Sequence, residues 1–340
     1  MEGRDRESRA AGGLARFRRV ILRAVIGAVA VLVGWGERAS ADEWPSRVVK
    51  IVVPAAPGGS SDAAARLVAN HFQAVFKQSF VVENKPGGGN ALGAAYVAQQ
   101  EPDGYTLVVS NTAAHLTVPI VSKTAGYDPV KDFTHIVMLS GAPYALCVNP
   151  SLGVATLAQF VAKAKQSPPT YTAANPGGLG HMGGEYFKRL AAIEMRHVPY
   201  RGGGPATSDA IAGHVQAIFL PLSTLGEQVR SGALVPLAVT ARARLASFPA
   251  IPTFVESGFP QLVYSAWFGL SGPKNLPAPI VERINIEARV FLKTPVMREL
   301  LEKEASEVLD TDAAGYSAMI AGEVARWSQL VQAMDLKLEE

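Results

Sequence analysis

Three stretches of this chain combine small residues, hydroxyls and amides in a way that suits an anion. They are Pro57-Gly58-Gly59-Ser60-Ser61-Asp62, Ser110-Asn111-Thr112-Ala113-Ala114-His115 and Asn175-Pro176-Gly177-Gly178-Leu179-Gly180-His181. Each follows a β-rich run, and most open a helical one. A helix N-terminus carries unpaired N–H groups and partial positive charge, and glycines let a ligand approach the backbone closely. Any one of the three also reads as an ordinary turn, with Ser61 or Asp62 simply capping a helix. His115 and His181 matter because they sit in these turns, although each reads equally as a hydrogen-bonded structural histidine. Trp267-Phe268 reads as core or hinge packing, with a cleft wall as the alternative.

Other chemistries find little support. Gly178 to Gly183 matches G-x-G-x-x-G, but the next strand ends at Tyr200-Arg201 without the acidic residue a dinucleotide site needs. There is no G-x-S-x-G elbow and no H-E-x-x-H, and the six histidines show no metal-ligand spacing. The single cysteine, Cys147, lies in an apolar run and excludes both an internal disulfide and a cysteine metal site.

The elements that must position the turns alternate in kind. Strands are expected at 47–54, 80–83 and 105–110, with helices at 63–76 and 91–100 between them. A second series has strands at 136–139, 145–148, 170–174, 197–200, 215–220 and 234–240, with helices at 156–166, 177–192, 205–212 and 224–231. Such alternation predicts parallel βαβ units, hence an α/β chain of two doubly wound lobes. The last third holds one apolar strand at 265–271 and helices at 280–292, 295–303 and 314–333. Helices without strands of their own must pack on a sheet already built, which predicts their return to the first lobe. The lobes are then 42–142 plus 266–340 and 143–265, with crossings near 142 and 265.

The N-terminus reads as a secretory leader over residues 1–41. Arg16, Arg18, Arg19 and Arg23 precede the uncharged run 24–34, which is short for a membrane span, and Ala39-Ser40-Ala41 offers a cleavage site after Ala41. The leader holds eight Lys/Arg and four Asp/Glu, leaving 24 basic and 25 acidic residues in the 299 that follow. A nearly neutral mature chain gives no electrostatic case for nucleic acid.

Six segments together resemble a known family. They are PGGSSDAAARL at 57–67, ENKPGGGNALGA at 83–94, PDGYTL at 102–107, YDPVKDF at 127–133, HVPYRGGGPA at 197–206 and SAWFGL at 265–270. In order and spacing they resemble the Bug receptors, the TctC-like extracytoplasmic solute receptors of tripartite tricarboxylate transport systems. The resemblance implies a type II periplasmic-binding-protein fold with two lobes, two crossovers and a closing cleft. It implies no catalysis, no cofactor and no metal. It implies a small organic carboxylate as ligand, permease subunits in the membrane as partner, a monomer and a periplasmic location. A sensor feeding a signalling partner, or an enzyme on the same scaffold, are the alternatives. By this analogy the ligand contacts are Gly58, Gly59, Ser60, Asp62, Ser110, Asn111, Thr112, His115, Ala174, Asn175, His181, Tyr200, Arg201 and Gly202. The chain departs from the family pattern at Ala173, at Gly178-Leu179-Gly180 and at Leu220-Pro221, where hydroxyls and an Asp-Asn pair are usual. A larger or more apolar acid, such as an aromatic one, is the expectation from those departures.

Overall fold

The strands Val49–Val53 and Thr106–Asn111 are hydrophobic on both faces, and the fold covers them on both. The computed structural model describes residues 44–58, 60–122, 125–308 and 310–336, with only the backbone of Ser60. The leader, its cleavage point and the expected ligand residue Gly59 lie outside the described residues. The named elements all fall within one compact unit, Pro45–Glu340.

β1 (Val49–Val53), α1 (Ser60–Phe76), β2 (Phe80–Asn84), α2 (Ala91–Ala98) and β3 (Thr106–Asn111) open the chain. β1 lies between β2 and β3 and is parallel to both. Its Val49, Ile51, Val52 and Val53 are buried and only Lys50 faces out, as a central strand under helices requires. α1 lays Phe72 and Phe76, four residues apart on one face, against Phe80, with ring centroids 5.3–5.7 Å apart. Burying each such ring contributes roughly 1.5–3 kcal/mol. Between β2 and α2 the chain passes through Gly87, Gly88, Gly89 and Asn90, all at positive φ. Three glycines are needed there because other residues enter that region at a cost.

β3 runs into a π-helical turn, Ala113–Thr117, and then α3 (Val118–Val121). β4 (Phe133–Val148) follows and corrects the expectation of two strands at 136–139 and 145–148. It is one strand of 16 residues. Through Phe133–Pro143 it pairs with β9 (Ser265–Pro273), and from Tyr144 it pairs with β7 (Ala217–Pro221) and β8 (Val235–Val239), always antiparallel. Gly141 and Pro143 lie between the two expected strands. Pro143 marks the change of partners, where a missing ladder donor costs least.

The rest comprises α4 (Leu157–Gln166), β5 (Thr170–Thr172), α5 (Leu179–Ala191), β6 (Arg196–His197), α6 (Gly203–Ala212), α7 (Leu222–Arg230), α8 (Ala278–Leu292), α9 (Pro295–Lys303) and α10 (Ala313–Met334). The strand order is β2-β1-β3-β9-β4-β7-β5-β6, with β8 on β4. The βαβ pattern produces the parallel groups β2-β1-β3 and β7-β5-β6, while β4 and β9 join them antiparallel. The fold is therefore mixed α/β.

α10 does not return to the first strands alone. Its Tyr316 hydroxyl meets Ser110 Oγ at 2.8 Å beside β3. Farther along, Trp327 sets its ring edge-on to Tyr264 at 5.2 Å, and Arg326 donates to the carbonyls of Val263 and Gln261. A helix of 22 residues is about 33 Å long, enough to reach both halves of the sheet. Among the described residues, no helix is long and apolar enough to cross a membrane.

Candidate functional site

A cleft of about 380 Å³ opens at the carboxyl ends of β3, β5 and β7, with Tyr144 of β4 at its floor. Open α/β sheets bind ligands at this end of their strands. Larger hollows, of about 510, 680 and 890 Å³, lie along the far end of α5, between the far half of α10 and the 260–263 segment, and beside α9. None of these gathers several helix N-termini, so none offers converging donors.

The cleft does gather them. Ser61 comes from the first turn of α1, Ala113 from the π-helical turn, Gly178 to Gly180 from the start of α5 and Gly203 from the start of α6. No side chain caps α5 at Gly178 or α6 at Gly202, which has φ 113°. The amides of Asn175, Leu179 and Gly180 take no partner among the described residues. Among the described residues, no Asp, Glu, Lys, Arg or His lines the cleft. Uncapped N-termini favour an anion by about 0.3–1 kcal/mol each, and up to ~2 where partly buried. A cation would meet no carboxylate here. Among the described residues there is also no group of side chains arranged to hold a metal.

The structure brings some expected ligand residues together and turns others away. Asn111, Thr112, Ala174 and Asn175 line the cleft. Asn111 Oδ1 accepts the Ala114 N–H at 2.9 Å, and Thr112 Oγ1 accepts the Trp267 N–H at 2.8 Å. Ser110 is fully buried on Tyr316. Asp62 accepts from Arg66 through both oxygens, from Asn84 and from the Gly58 N–H. Arg66 foremost, then Gly58 and Asn84, hold its carboxyl at about 2. Its charge therefore ties the Gly58 loop to α1, and neither Gly58 nor Asp62 lines the cleft. His115 is fully buried, 4.6 Å from the Phe133 ring, and burial holds its pKa well below the usual histidine range. His181 stands behind the wall, its Nδ1 accepting the Gly177 N–H at 3.1 Å. Tyr200 donates its hydroxyl to Asp209 at 2.6 Å and its N–H to the Ala174 carbonyl. Arg201 is exposed, and Gly202 stops one residue short of Gly203, which does line the cleft.

Residues 64–336 match the model of the tripartite tricarboxylate transporter family receptor, TctC. The chain belongs to that family. BugT of Bordetella pertussis is 32% identical over 321 residues, covering 94% of this chain and 98% of BugT. A solved periplasmic transporter shares 33% identity at a TM-score of 0.77, covering 87% of this chain and all of its own. An R. palustris protein solved with adipate shares 32% at a TM-score of 0.76, over 86% of this chain and 99% of its own. MatC from Rhodopseudomonas palustris, solved with bound malate, shares 27% at a TM-score of 0.72, over 85% of this chain and 100% of its own.

The cleft of this TctC family member has walls that sequence reasoning passed over. Gly89 and Asn90 line it, and the glycine run at 87–89 was the available signal. Trp267 and Phe268 divide the two readings between them, because successive strand residues face opposite ways. Trp267 is buried core, while Phe268 lines the cleft. Leu220 and Thr224 also line it, and no periodicity marks them. The G-x-G-x-x-G glycines serve packing. A Cβ on Gly180 would stand 2.6 Å from the Phe219 carbonyl oxygen, and one on Gly183 would stand 1.8 Å from the Tyr264 hydroxyl. They let α5 lie close on β7 and Tyr264.

Proposed function

We propose that this chain is a periplasmic receptor that captures a small organic carboxylate in the cleft and delivers it to the membrane subunits of a tripartite tricarboxylate-type transporter. The observation that carries the reading is the convergence of helix N-termini on a cleft that no charged side chain among the described residues lines. In this reading residues 42–142 with 266–340 form one lobe and 143–265 the other, with α10 reaching across. Each lobe brings two of the N-termini, so a carboxylate meets all of them only when the lobes close, and binding favours the closed state. Asn111, Thr112, Ala174, Asn175 and the amides of Leu179 and Gly180 are the proposed contacts. Leu220, Val118, Val121 and Phe268 give the remaining surface an apolar character, which suits an acid with a hydrocarbon or aromatic body. The leader over 1–41 provides for export and cleavage after Ala41. The reading assigns no reaction to the site.

Support comes from membership of the receptor family and from relatives solved with adipate and malate. The test is a thermal-shift and calorimetry series with adipate, malate and benzoate, set against sugars and organic cations. Saturable stabilisation by an acid is expected, about 2.7 kcal/mol at 100 times its Kd, with the acid recovered unchanged. Stabilisation by sugars or cations alone, or conversion of the acid, overturns the reading. Loss of uptake of the same acid on deleting the gene checks delivery.

A further inference from the structure

Two imidazoles stand stacked behind the 173–178 wall of the cleft, with ring centroids 4.0 Å apart and planes 21° from parallel. Neither lines the cleft. Each accepts a hydrogen bond from the wall in front of it. The Gly177 N–H donates to His181 Nδ1 at 3.1 Å, and the Ala173 N–H donates to His197 Nε2 at 3.4 Å. A ring nitrogen accepts only while it carries no proton, so the geometry selects the Nε2–H tautomer for His181 and the Nδ1–H tautomer for His197.

The same wall carries the donors. Ala173 and Gly177 spend their amides on the imidazoles, Ala174 donates to Thr172 Oγ1, and Gly178 donates to the Asn175 carbonyl. What remains unpaired is the set at Asn175, Leu179 and Gly180. We propose that His181 and His197 are positioning residues, a neutral imidazole pair that pins the wall so that these three amides face the cleft, and that acid releases the pin. The consequence for affinity rests on the proposed receptor function. The pin itself does not.

Protonation turns an acceptor into a second donor facing a backbone N–H, and it places charge against the stacked ring. The other titratable groups facing the pair are few. Glu185 Oε1 lies 4.0 Å from His181 Nε2, but it already accepts the Tyr171 hydroxyl at 2.6 Å. Lys188 holds Glu185 Oε2 at 2.8 Å and approaches Glu194 at 3.8 Å. Burial first, then His181, lowers His197 to about 4, and burial lowers His181 below its usual 6.5. Both folded-state pKa values are depressed, so the pin is complete above 6.5 and weakens as pH falls, for His197 on approach to about 4.

The experiment is long-range ¹H–¹⁵N NMR of the whole protein, titrated from pH 8 downward, with adipate affinity measured alongside. The tautomers above are expected, with the Gly177 and Ala173 amide resonances moving along the same curves as the imidazoles. His181→Asn keeps an acceptor near the Nδ1 position but cannot titrate. It should hold the Gly177 amide still across pH and keep the adipate Kd within about twofold at pH 8. It should also bind adipate with a shallower pH dependence, the ligand's own protonation being common to both proteins. His181→Ala should weaken adipate at least about tenfold, the size expected for one buried amide left unpaired. A His181 Nδ1–H tautomer, a Gly177 amide indifferent to the titration, or His181→Asn matching His181→Ala overturns the proposal. If adipate, malate and benzoate all fail on the unaltered protein, the receptor reading falls, while the tautomers and amide shifts still decide the pin.

Discussion

Gly180→Ala adds one methyl where the first turn of α5 meets the end of β7. The new Cβ would stand 2.6 Å from the Phe219 carbonyl oxygen, 3.0 Å from Tyr144 Cε1 and 3.3 Å from the Ala173 Cβ. The nearest atom is backbone, so relief requires the start of α5 to withdraw by roughly half an ångström or more. Overpacking of this kind costs about 1–3 kcal/mol, and the better helix propensity of alanine returns up to about 1. A net loss of about 1–2 kcal/mol is expected, or a Tm lower by roughly 2–8 °C. The same withdrawal takes the Leu179 and Gly180 amides away from the cleft. A hydrogen bond to a charged group is worth about 1.5–3 kcal/mol, so weakening one raises the Kd for the bound acid about tenfold. Gly204→Ala is the control. It lies in α6 next to the cleft-lining Gly203, and its Cβ would meet nothing within 4 Å. Its stability should stay within about 0.5 kcal/mol of the parent, on the stabilising side, with affinity unchanged. Urea unfolding and calorimetry read both. If Gly180→Ala matches Gly204→Ala in stability and affinity, the close approach of α5 to β7 does not shape the site.

Trp327→Ala removes a fully buried ring that packs on Tyr264 and should cost about 3–5 kcal/mol in urea unfolding, loosening the far half of α10 first in hydrogen exchange. Leu220→Asp places a carboxylate in a cleft that no Lys or Arg among the described residues lines, and calorimetry should show the acid's affinity falling at least about tenfold. Asp62→Asn tests the anchor at α1. The Asp62 carboxyl is held at about 2 against an ordinary 3.8, so its stabilisation is present above 3.8 and lost as pH falls through about 2. The variant should be less stable at neutral pH and lose less on acidification, followed by circular dichroism. Cys147 is fully buried and burial pushes its thiol up, so a thiol reagent should leave the native protein alone and react fully once it is unfolded.

Much of the fold was legible because local rules and long-range demands agree. The β1 run RVVKIVVP needs cover on both faces and receives it. Thr156 caps α4 by accepting the Gln159 N–H, as its place before the helix suggested. Disagreement appears where a local signal has a distant purpose. The pattern predicts two strands, at 136–139 and 145–148, yet β4 runs through Gly141 and Pro143 between them and changes partners. It predicts a helix over 205–212, yet α6 starts two residues earlier, at Gly203.

Sequence by itself determined the α/β alternation, the glycine-rich strand ends, the near neutrality of residues 42–340, and a resemblance that family membership upholds. It also pointed to the turns at 110–115 and 174–181 that supply part of the cleft lining, because helix starts and glycines are local features. Tertiary structure decided which members of each turn face the cleft. Ser110 is drawn to Tyr316, 206 residues away, and His135 meets Ser271 across 136 residues. Asp62 is claimed by Arg66 and Asn84, and His181 by the wall it supports. A polar side chain at a strand end takes whichever partner the fold brings within hydrogen-bond reach, and that partner is set by packing of segments far apart in the chain. The Leu179 and Gly180 amides at the start of α5 have no such competitor among the described residues.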